Sequence, residues 1–183
     1  VESFLRDFVA SNGQKSGAML YVSGASGVGK SSAVKYACKS IGETSGNVIF
    51  CNISGTQAKS RLNIMGKLAN TMSINSNATE CKIQQALETG RGRRSEIRMV
   101  VMIIDEIDYL LSVSSGKGNK RARNESEEVL VTLTNWAKDP NLSFALIGIS
   151  NSVGGPKARR IRDLGMVSYM VAAYLNACFL SVF

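Results

Sequence analysis

The feature that most constrains this chain is a glycine-rich segment between an apolar run and a helical pattern. Residues 24–31 read Gly-Ala-Ser-Gly-Val-Gly-Lys-Ser, which fits the pattern GxxxxGKS. Residues 18–23 form an apolar run that predicts a buried strand, and residues 31–41 carry apolar side chains at helical spacing. This order predicts a phosphate-binding loop, because glycines let backbone N–H groups converge on an anion at the N-terminus of a helix.

The ligand that such a loop predicts is the phosphate chain of a nucleotide. Lys30 is expected to reach the β- and γ-phosphates, and the Ser31 hydroxyl is expected to take a magnesium position. The alternative is a Gly/Ser turn that happens to contain a lysine, and the flanking strand and helix count against it. The predicted nucleotide-binding residues are Gly24, Ala25, Ser26, Gly27, Val28, Gly29, Lys30, Ser31, Ser32 and Asp105.

A second motif supplies carboxylates at the end of another predicted strand. Residues 98–104 are an arginine followed by six apolar residues, and Asp105 and Glu106 come next. At the carboxyl edge of a parallel strand beside the loop, Asp105 is expected to hold magnesium through water and Glu106 to polarise an attacking water. Alone, this stretch reads equally well as the polar start of a loop. Together with the glycine-rich loop it indicates hydrolysis by water.

The rest of the chain alternates between strand and helix patterns. Further strands are predicted at 47–52 and 144–149, and helices at 57–72 with Thr56 as N-cap, at 78–87 and at 127–137, with a loop over 112–124. Strands that are apolar throughout predict a parallel sheet covered on both faces, and hence an α/β fold. Asn151 follows the strand at 144–149, where its amide either orients the attacking water or caps a turn.

Composition removes several classes of chemistry. The 183 residues contain no histidine, which excludes Ser-His-Asp and Cys-His nucleophiles and HExxH zinc sites. The four cysteines form no CxxC pair, so zinc ribbons and thioredoxin-like motifs are not expected. We expect all four cysteines to be reduced thiols. These cysteines are Cys38, Cys51, Cys81 and Cys178.

Positive charge is concentrated in three clusters. The chain has 22 Lys and Arg against 14 Asp and Glu, a formal net charge of +8. Such clusters are usually solvated loops, and contact with DNA phosphates is the alternative; residues 117–123 also suit a nuclear localisation signal. The clusters are Arg91, Arg93, Arg94 and Arg98; Lys117, Lys120, Arg121 and Arg123; and Lys157, Arg159, Arg160 and Arg162.

Three segments, in order and spacing, resemble the replication-initiator AAA+ ATPases, the family of the largest origin recognition complex subunit and the cell-division-cycle licensing factor. They are Asp-Glu-Ile-Asp at 105–108, the helix that contains Trp136, and Leu-Ile-Gly-Ile-Ser-Asn-Ser at 146–152. The resemblance covers about residues 1–165. It implies a P-loop NTPase fold, an AAA+ base subdomain with a parallel five-stranded sheet flanked by helices, in which Asn151 has the sensor-1 role.

The resemblance also implies an activity and partners. It implies binding of ATP or ADP with Mg²⁺, slow and partner-dependent hydrolysis, and a nuclear location. The implied partners are other AAA+ initiator subunits, double-stranded DNA and the replicative helicase, with ATP acting as an assembly switch. A nucleotide-bound scaffold that does not hydrolyse ATP, or another AAA+ machine such as a clamp loader, remains the alternative.

The sequence departs from the family pattern towards its end. The turn at 152–157 lacks the usual acid, and Asp163 stands before Leu164-Gly165 where the family carries an arginine that acts on a neighbour's ATP. Arg162 is the nearest candidate for that arginine, and Arg160 the next. Residues 166–183 are almost entirely apolar and carry no charge, although Ser168, Asn176 and Ser181 interrupt the run, and they are too few for the family's lid and winged-helix domains. We expect a final strand at about 167–171 and the start of a truncated lid, rather than a membrane span.

Overall fold

The structure, a computed structural model, describes residues 1–15, 17–58, 60–75, 79–88, 99–112, 120–152, 156–165 and 167–170. Along these residues, one or two helices separate successive strands. In chain order they are α1 Glu2–Ala10, β1 Met19–Ser23, α2 Lys30–Thr44, β2 Val48–Ser54, α3 Arg61–Thr71, α4 Glu80–Leu87, β3 Met99–Asp105, α5 Asp108–Ser112, α6 Lys120–Lys138, β4 Phe144–Ser150, α7 Pro156–Asp163 and β5 Val167–Met170.

The strands form one parallel five-stranded sheet in the order β2-β3-β4-β1-β5. The predicted α/β architecture with a parallel sheet is therefore confirmed. Because parallel strands end at the same edge, the residues that follow β1, β3 and β4 lie side by side. The register shows this directly: Ser23 pairs with Ser150, and Ser54 pairs with Asp105.

Two apolar clusters, one on each face of the sheet, explain why the strands are apolar throughout. On β3, Val100 and Met102 pack with α3, α4 and α6, while Val101 and Ile103 pack with α1 and α2. Alternate side chains point to opposite faces of a strand, so a sheet with helices on both faces buries every position. On the α6 face, the ring of Trp136 meets that of Phe144 edge-on, with centroids 5.8 Å apart.

The structure corrects the predicted start of the third helix. The expected helix over 57–72 with a Thr56 cap begins instead at Arg61, and the side chain of Ser60 accepts a hydrogen bond from Asn63 N. Thr56 belongs to a turn, in which its hydroxyl pairs with that of Ser54 at 2.8 Å. Leu62, in the first turn of this helix, is 83% exposed.

Three further helical stretches differ from the prediction. Helix α6 begins at Lys120, not at residue 127, so part of the predicted loop over 112–124 is helical; residues 113–119 lie outside the described ranges. Helices α5 and α7 had no prediction. Each is one or two turns long, too short for a clear apolar period, and Lys120–Glu127 carries few apolar side chains at all.

The end of the chain is described only in part. Strand β5, at 167–170, pairs in parallel with β1 on the side away from β4, where a strand is predicted at about 167–171. Residues 171–183 lie outside the described residues, so the division into 1–165 and 166–183 stays a prediction. Within the described residues, no helix has the length and apolar character needed to cross a bilayer.

Candidate nucleotide-binding site

The glycine-rich loop joins β1 to α2 and has the backbone shape that the motif predicts. Gly27 and Gly29 have positive φ angles of +79° and +86°, in the left-handed region that favours glycine. Gly29 is the N-cap of α2, so the loop delivers the chain directly into the N-terminus of that helix. The unpaired N–H groups of the first turn and the positive end of the helix dipole then lie beside the loop, where an anion is stabilised.

Lys30 lies inside the loop, not in solvent. Only 5% of the residue is exposed, and its ammonium donates to the carbonyls of Gly24 (3.0 Å) and Ala25 (2.6 Å). A buried ammonium needs such partners because the removal of an unpaired charge from water is very unfavourable. These two bonds therefore hold a positive charge at the mouth of the loop, close to the site predicted for phosphates.

Ser31 and Asp105 line one cleft of about 210 Å³, although they lie 74 positions apart in sequence. Ser31 is in the first turn of α2, and Asp105 is the last residue of β3. A hydroxyl and a carboxylate are the hard oxygen ligands that Mg²⁺ prefers, usually completed by water and nucleotide phosphates. Among the described residues there is no group of three His, Cys, Asp or Glu that could hold a metal by itself. The two oxygen donors of Ser31 and Asp105 in one cleft fit a magnesium ion whose other ligands are water and phosphate oxygens.

Glu106 follows Asp105 in an unusual backbone conformation. Its φ is +55°, rare for a residue with a side chain. Its N–H donates to Asp105 Oδ1 at 3.0 Å, and its carbonyl accepts from Tyr109 N at 2.9 Å as α5 begins. Residues held in sparsely populated regions cost about 1–3 kcal/mol each and cluster at functional sites. Helix α5 begins two residues after Glu106, at Asp108.

Ser54 is a polar residue of the site that the sequence prediction missed. It ends β2, pairs in register with Asp105, and its hydroxyl donates to Glu106 Oε2 at 3.4 Å. The prediction ended this strand at residue 52, two residues too early. The carboxyl-edge rule that selected Asp105 would have selected Ser54 too, had the strand been followed to its end.

Asn151 lies where the prediction placed it, directly after β4. Strand β4 lies between β3 and β1, so Asn151 emerges between the strand that carries Asp105 and the strand that precedes the loop. Its side chain is exposed at this edge. The turn behind it is held by two bonds: Ser152 N donates to Ser150 Oγ at 2.9 Å, and the Tyr21 hydroxyl donates to Ser152 O at 3.2 Å.

No described residue of the three basic clusters is among those that line the cleft. Arg162 is on α7, but its side chain lies outside the described part; Arg159 and Arg160 on the same helix are exposed. The cluster at 91–98 and Lys117 also lie outside the described ranges. The predicted roles of Arg162 and of the basic clusters therefore stay predictions.

The described cysteines are free thiols, as the sequence predicts. Cys38 and Cys51 are buried and Cys81 is exposed, while Cys178 lies outside the described residues. Burial raises the pKa of Cys38 from 9.0 to about 11 and also raises that of Cys51, because the thiolate would lose its hydration. Both buried thiols are therefore protonated near neutral pH and act as small apolar side chains.

Comparison with known proteins assigns the family. A family model described as "ATPase family associated with various cellular activities (AAA)" matches residues 20–165, more than half of the chain. No curated protein matches the chain at a significant level. Several solved structures match in fold.

Three of these structures come from an archaeon and a fly. The Aeropyrum pernix ORC1 protein in complex with DNA is 17% identical, with a TM-score of 0.60 over 93% of this chain and 44% of that one. The A. pernix ORC2 protein in its ADP form is 13% identical, with a TM-score of 0.65 over 92% of this chain and 45% of that one. Drosophila ORC bound to DNA is 15% identical, with a TM-score of 0.59 over 92% of this chain and 41% of that one. This chain thus spans less than half the length of these structures, and at such identities the likeness concerns the fold. With a matching family model over the loop, the Asp105 strand and Asn151, the chain belongs to the AAA family of ATPases.

Proposed function

We propose that this chain binds ATP with Mg²⁺ and hydrolyses it slowly as a subunit of a complex that recognises or licenses DNA replication origins. The observation that carries the ATPase part is the cleft shared by Ser31 and Asp105, with Glu106 next in the chain. The origin part is supported by the sequence resemblance and by the fold shared with ORC proteins, two of them solved with DNA.

The residues of the site divide the work between binding and hydrolysis. Lys30 and the N–H groups at the start of α2 bind the phosphates, and Ser31 and Asp105 hold the magnesium ion. When bound, the metal neutralises charge on the phosphate oxygens. The Glu106 carboxylate accepts a proton from the attacking water, and the Asn151 amide, at the same sheet edge, orients that water.

In the cellular role that we propose, ATP acts as an assembly switch. Other AAA+ initiator subunits would complete the site, with an arginine from a neighbour stabilising the charge that develops during hydrolysis. The assembled complex would bind double-stranded DNA and load the replicative helicase in the nucleus. The net charge of +8 favours association with DNA.

Two substitutions with matched controls test the ATPase assignment. Lys30→Ala should weaken ATP binding about 10- to 100-fold, because charged hydrogen bonds of about 1.5–3 kcal/mol are lost. Glu106→Gln should leave binding intact and lower the hydrolysis rate about 10²- to 10⁴-fold. Lys39→Ala and Glu43→Gln, on the exposed face of α2, should change neither quantity. Binding by Lys30→Ala as tight as wild type would show that the loop is not the phosphate site.

The cellular role needs a separate test, because it rests on fold and resemblance. Hydrolysis by the full chain should rise when origin-complex subunits of the same organism and double-stranded DNA are added together. Retained nucleotide with no turnover under any of these conditions would instead support a scaffold subunit. Stimulation by a sliding clamp and primed DNA, in place of the initiator subunits, would support a clamp loader.

A further inference from the structure

We infer that Gly55 is a positioning residue for Glu106: its missing side chain leaves the space that the Glu106 peptide occupies. This inference rests on the proposed ATPase function, in which Glu106 polarises water. Gly55 follows β2 directly and is buried. It belongs neither to the glycine-rich loop nor to the acidic motif, and the strand that it follows is one of the two outer strands of the described sheet.

The contact between Gly55 and Glu106 joins backbone to backbone. A β-carbon added to Gly55 would lie 2.3 Å from the Glu106 carbonyl oxygen, 3.0 Å from its carbonyl carbon and 3.2 Å from the oxygen of Asp105. No rotamer change relieves such overlaps, since every contacted atom is main chain. The φ of Gly55 lies outside the left-handed region, so space and not conformational freedom requires glycine here.

The same region holds Glu106 in its rare conformation. Gly55 N donates to the Asp105 carbonyl at 2.6 Å, and so ties the residue before Glu106 to the end of β2. On the far side, Ile107 N donates to Ile149 O at 2.9 Å. A left-handed conformation persists only where its surroundings determine it. Gly55 provides one of these restraints through its N–H. Its missing β-carbon also leaves the space that the Glu106 carbonyl occupies.

A larger residue at position 55 would therefore act through Glu106. To reach an ordinary contact distance, the Glu106 peptide would have to move by about 1 Å, and the carboxylate would move with it. A misplacement of about 1 Å from a remote substitution can lower a rate about 100-fold. The glycine-rich loop follows β1, and two strands, β3 and β4, lie between β1 and β2 in the sheet, so ATP binding by the loop should survive the change.

The experiment compares Gly55→Ala with Gly46→Ala in the full chain. Gly46, before β2, has open space around its β-carbon position. Gly55→Ala should lower single-turnover ATP hydrolysis about 100-fold, with the ATP dissociation constant unchanged, and Gly46→Ala should alter neither. In a Glu106→Gln background, Gly55→Ala should cause no additional loss. Wild-type turnover by Gly55→Ala, or an equal 100-fold loss in the Glu106→Gln background, would overturn the inference.

A second readout does not depend on hydrolysis. Tyr109 N donates to the Glu106 carbonyl that a β-carbon at position 55 would displace. Exchange of the Tyr109 amide with solvent, followed by NMR, should therefore accelerate in Gly55→Ala and stay unchanged in Gly46→Ala. A wild-type chain without turnover even in the presence of partner subunits and DNA would refute the proposed hydrolysis, while the amide would still decide the role of Gly55. Unchanged exchange in Gly55→Ala would refute that role.

If Gly55→Ala fails to fold, a double variant keeps the inference testable. Glu106→Gly removes the side chain from the left-handed position and lets that peptide move away from residue 55. The double variant Gly55→Ala with Glu106→Gly should then recover the wild-type urea midpoint. A double variant as unstable as Gly55→Ala alone would show that the clash does not act through residue 106.

Discussion

Replacement of Gly29 by alanine tests the backbone shape of the phosphate loop with a magnitude taken from the structure. Gly29 has φ +86° and ψ +14°, and no atom outside its neighbours lies within 4 Å of its β-carbon position. The substitution therefore creates no clash, and its effect is conformational. The left-handed conformation costs a residue with a β-carbon about 1–2 kcal/mol, so the free energy of unfolding should fall by that amount.

Urea denaturation followed by circular dichroism measures this loss. With an m-value of about 2 kcal/mol/M, the midpoint should fall by about 0.5–1 M. Nucleotide affinity provides a second measurement. A loop that escapes the strain by turning to negative φ aims its N–H groups elsewhere, and the dissociation constant for ATP should then rise about tenfold for each 1.4 kcal/mol lost.

Gly46→Ala is the matched control, because Gly46 also has open space but its φ lies outside the left-handed region. That variant should gain about 0.4–1 kcal/mol through lower entropy of the unfolded chain, with ATP binding unchanged. A Gly29→Ala chain that is as stable as Gly46→Ala, and that binds ATP as tightly as wild type, would refute the conformational reasoning.

Two other expectations concern the core. Ile64→Ala should lower the free energy of unfolding by about 2–5 kcal/mol, because the Ile64 side chain is fully buried. Leu62→Ala, two residues earlier, should change it by less than about 0.5 kcal/mol, because Leu62 is exposed. Equal urea midpoints for the two variants would contradict this placement of α3. For Cys38, the folded pKa of about 11 exceeds the unfolded 9.0, so the native state holds the proton more tightly and its stability falls as pH rises from 9 to 11. The stability difference between wild type and Cys38→Ala should shift against wild type by about 1–3 kcal/mol across that window, and a difference independent of pH would contradict the burial.

The motifs of the site were predictable because they are local. Glycines, a lysine and a serine in eight consecutive residues specify a turn and the start of a helix, and residues 24–31 form both. The strand ending at Asp105 was equally clear, since an uninterrupted apolar run is typical of a strand buried on both faces. The neighbouring apolar runs located every strand of the sheet to within two residues.

The start of α3 was missed for a physical reason. Both Thr56 and Ser60 are good N-cap residues, and the sequence offers no means to choose between them. The choice is made by the end of β2, where Gly55 N bonds to β3 and Gln57 N and Ala58 N both donate to Ser54 O. These bonds close one turn after β2, and the regular helix begins only at Arg61, where Ser60 caps it. The start of α6 was missed for a different reason. Its first residues lack an apolar stripe, so no helical period could be recognised there.

By itself, the sequence determined the phosphate loop, the acidic strand end and the parallel α/β architecture, since each depends on neighbours along the chain. Only the tertiary structure decided which distant residues meet. Ser31 and Asp105 line one cleft because the strand order brings β3 close to β1. Ser54 and Gly55 contact Glu106 because β2 ends beside β3. Such contacts depend on the pairing of strands about 50 residues apart, which no local pattern specifies.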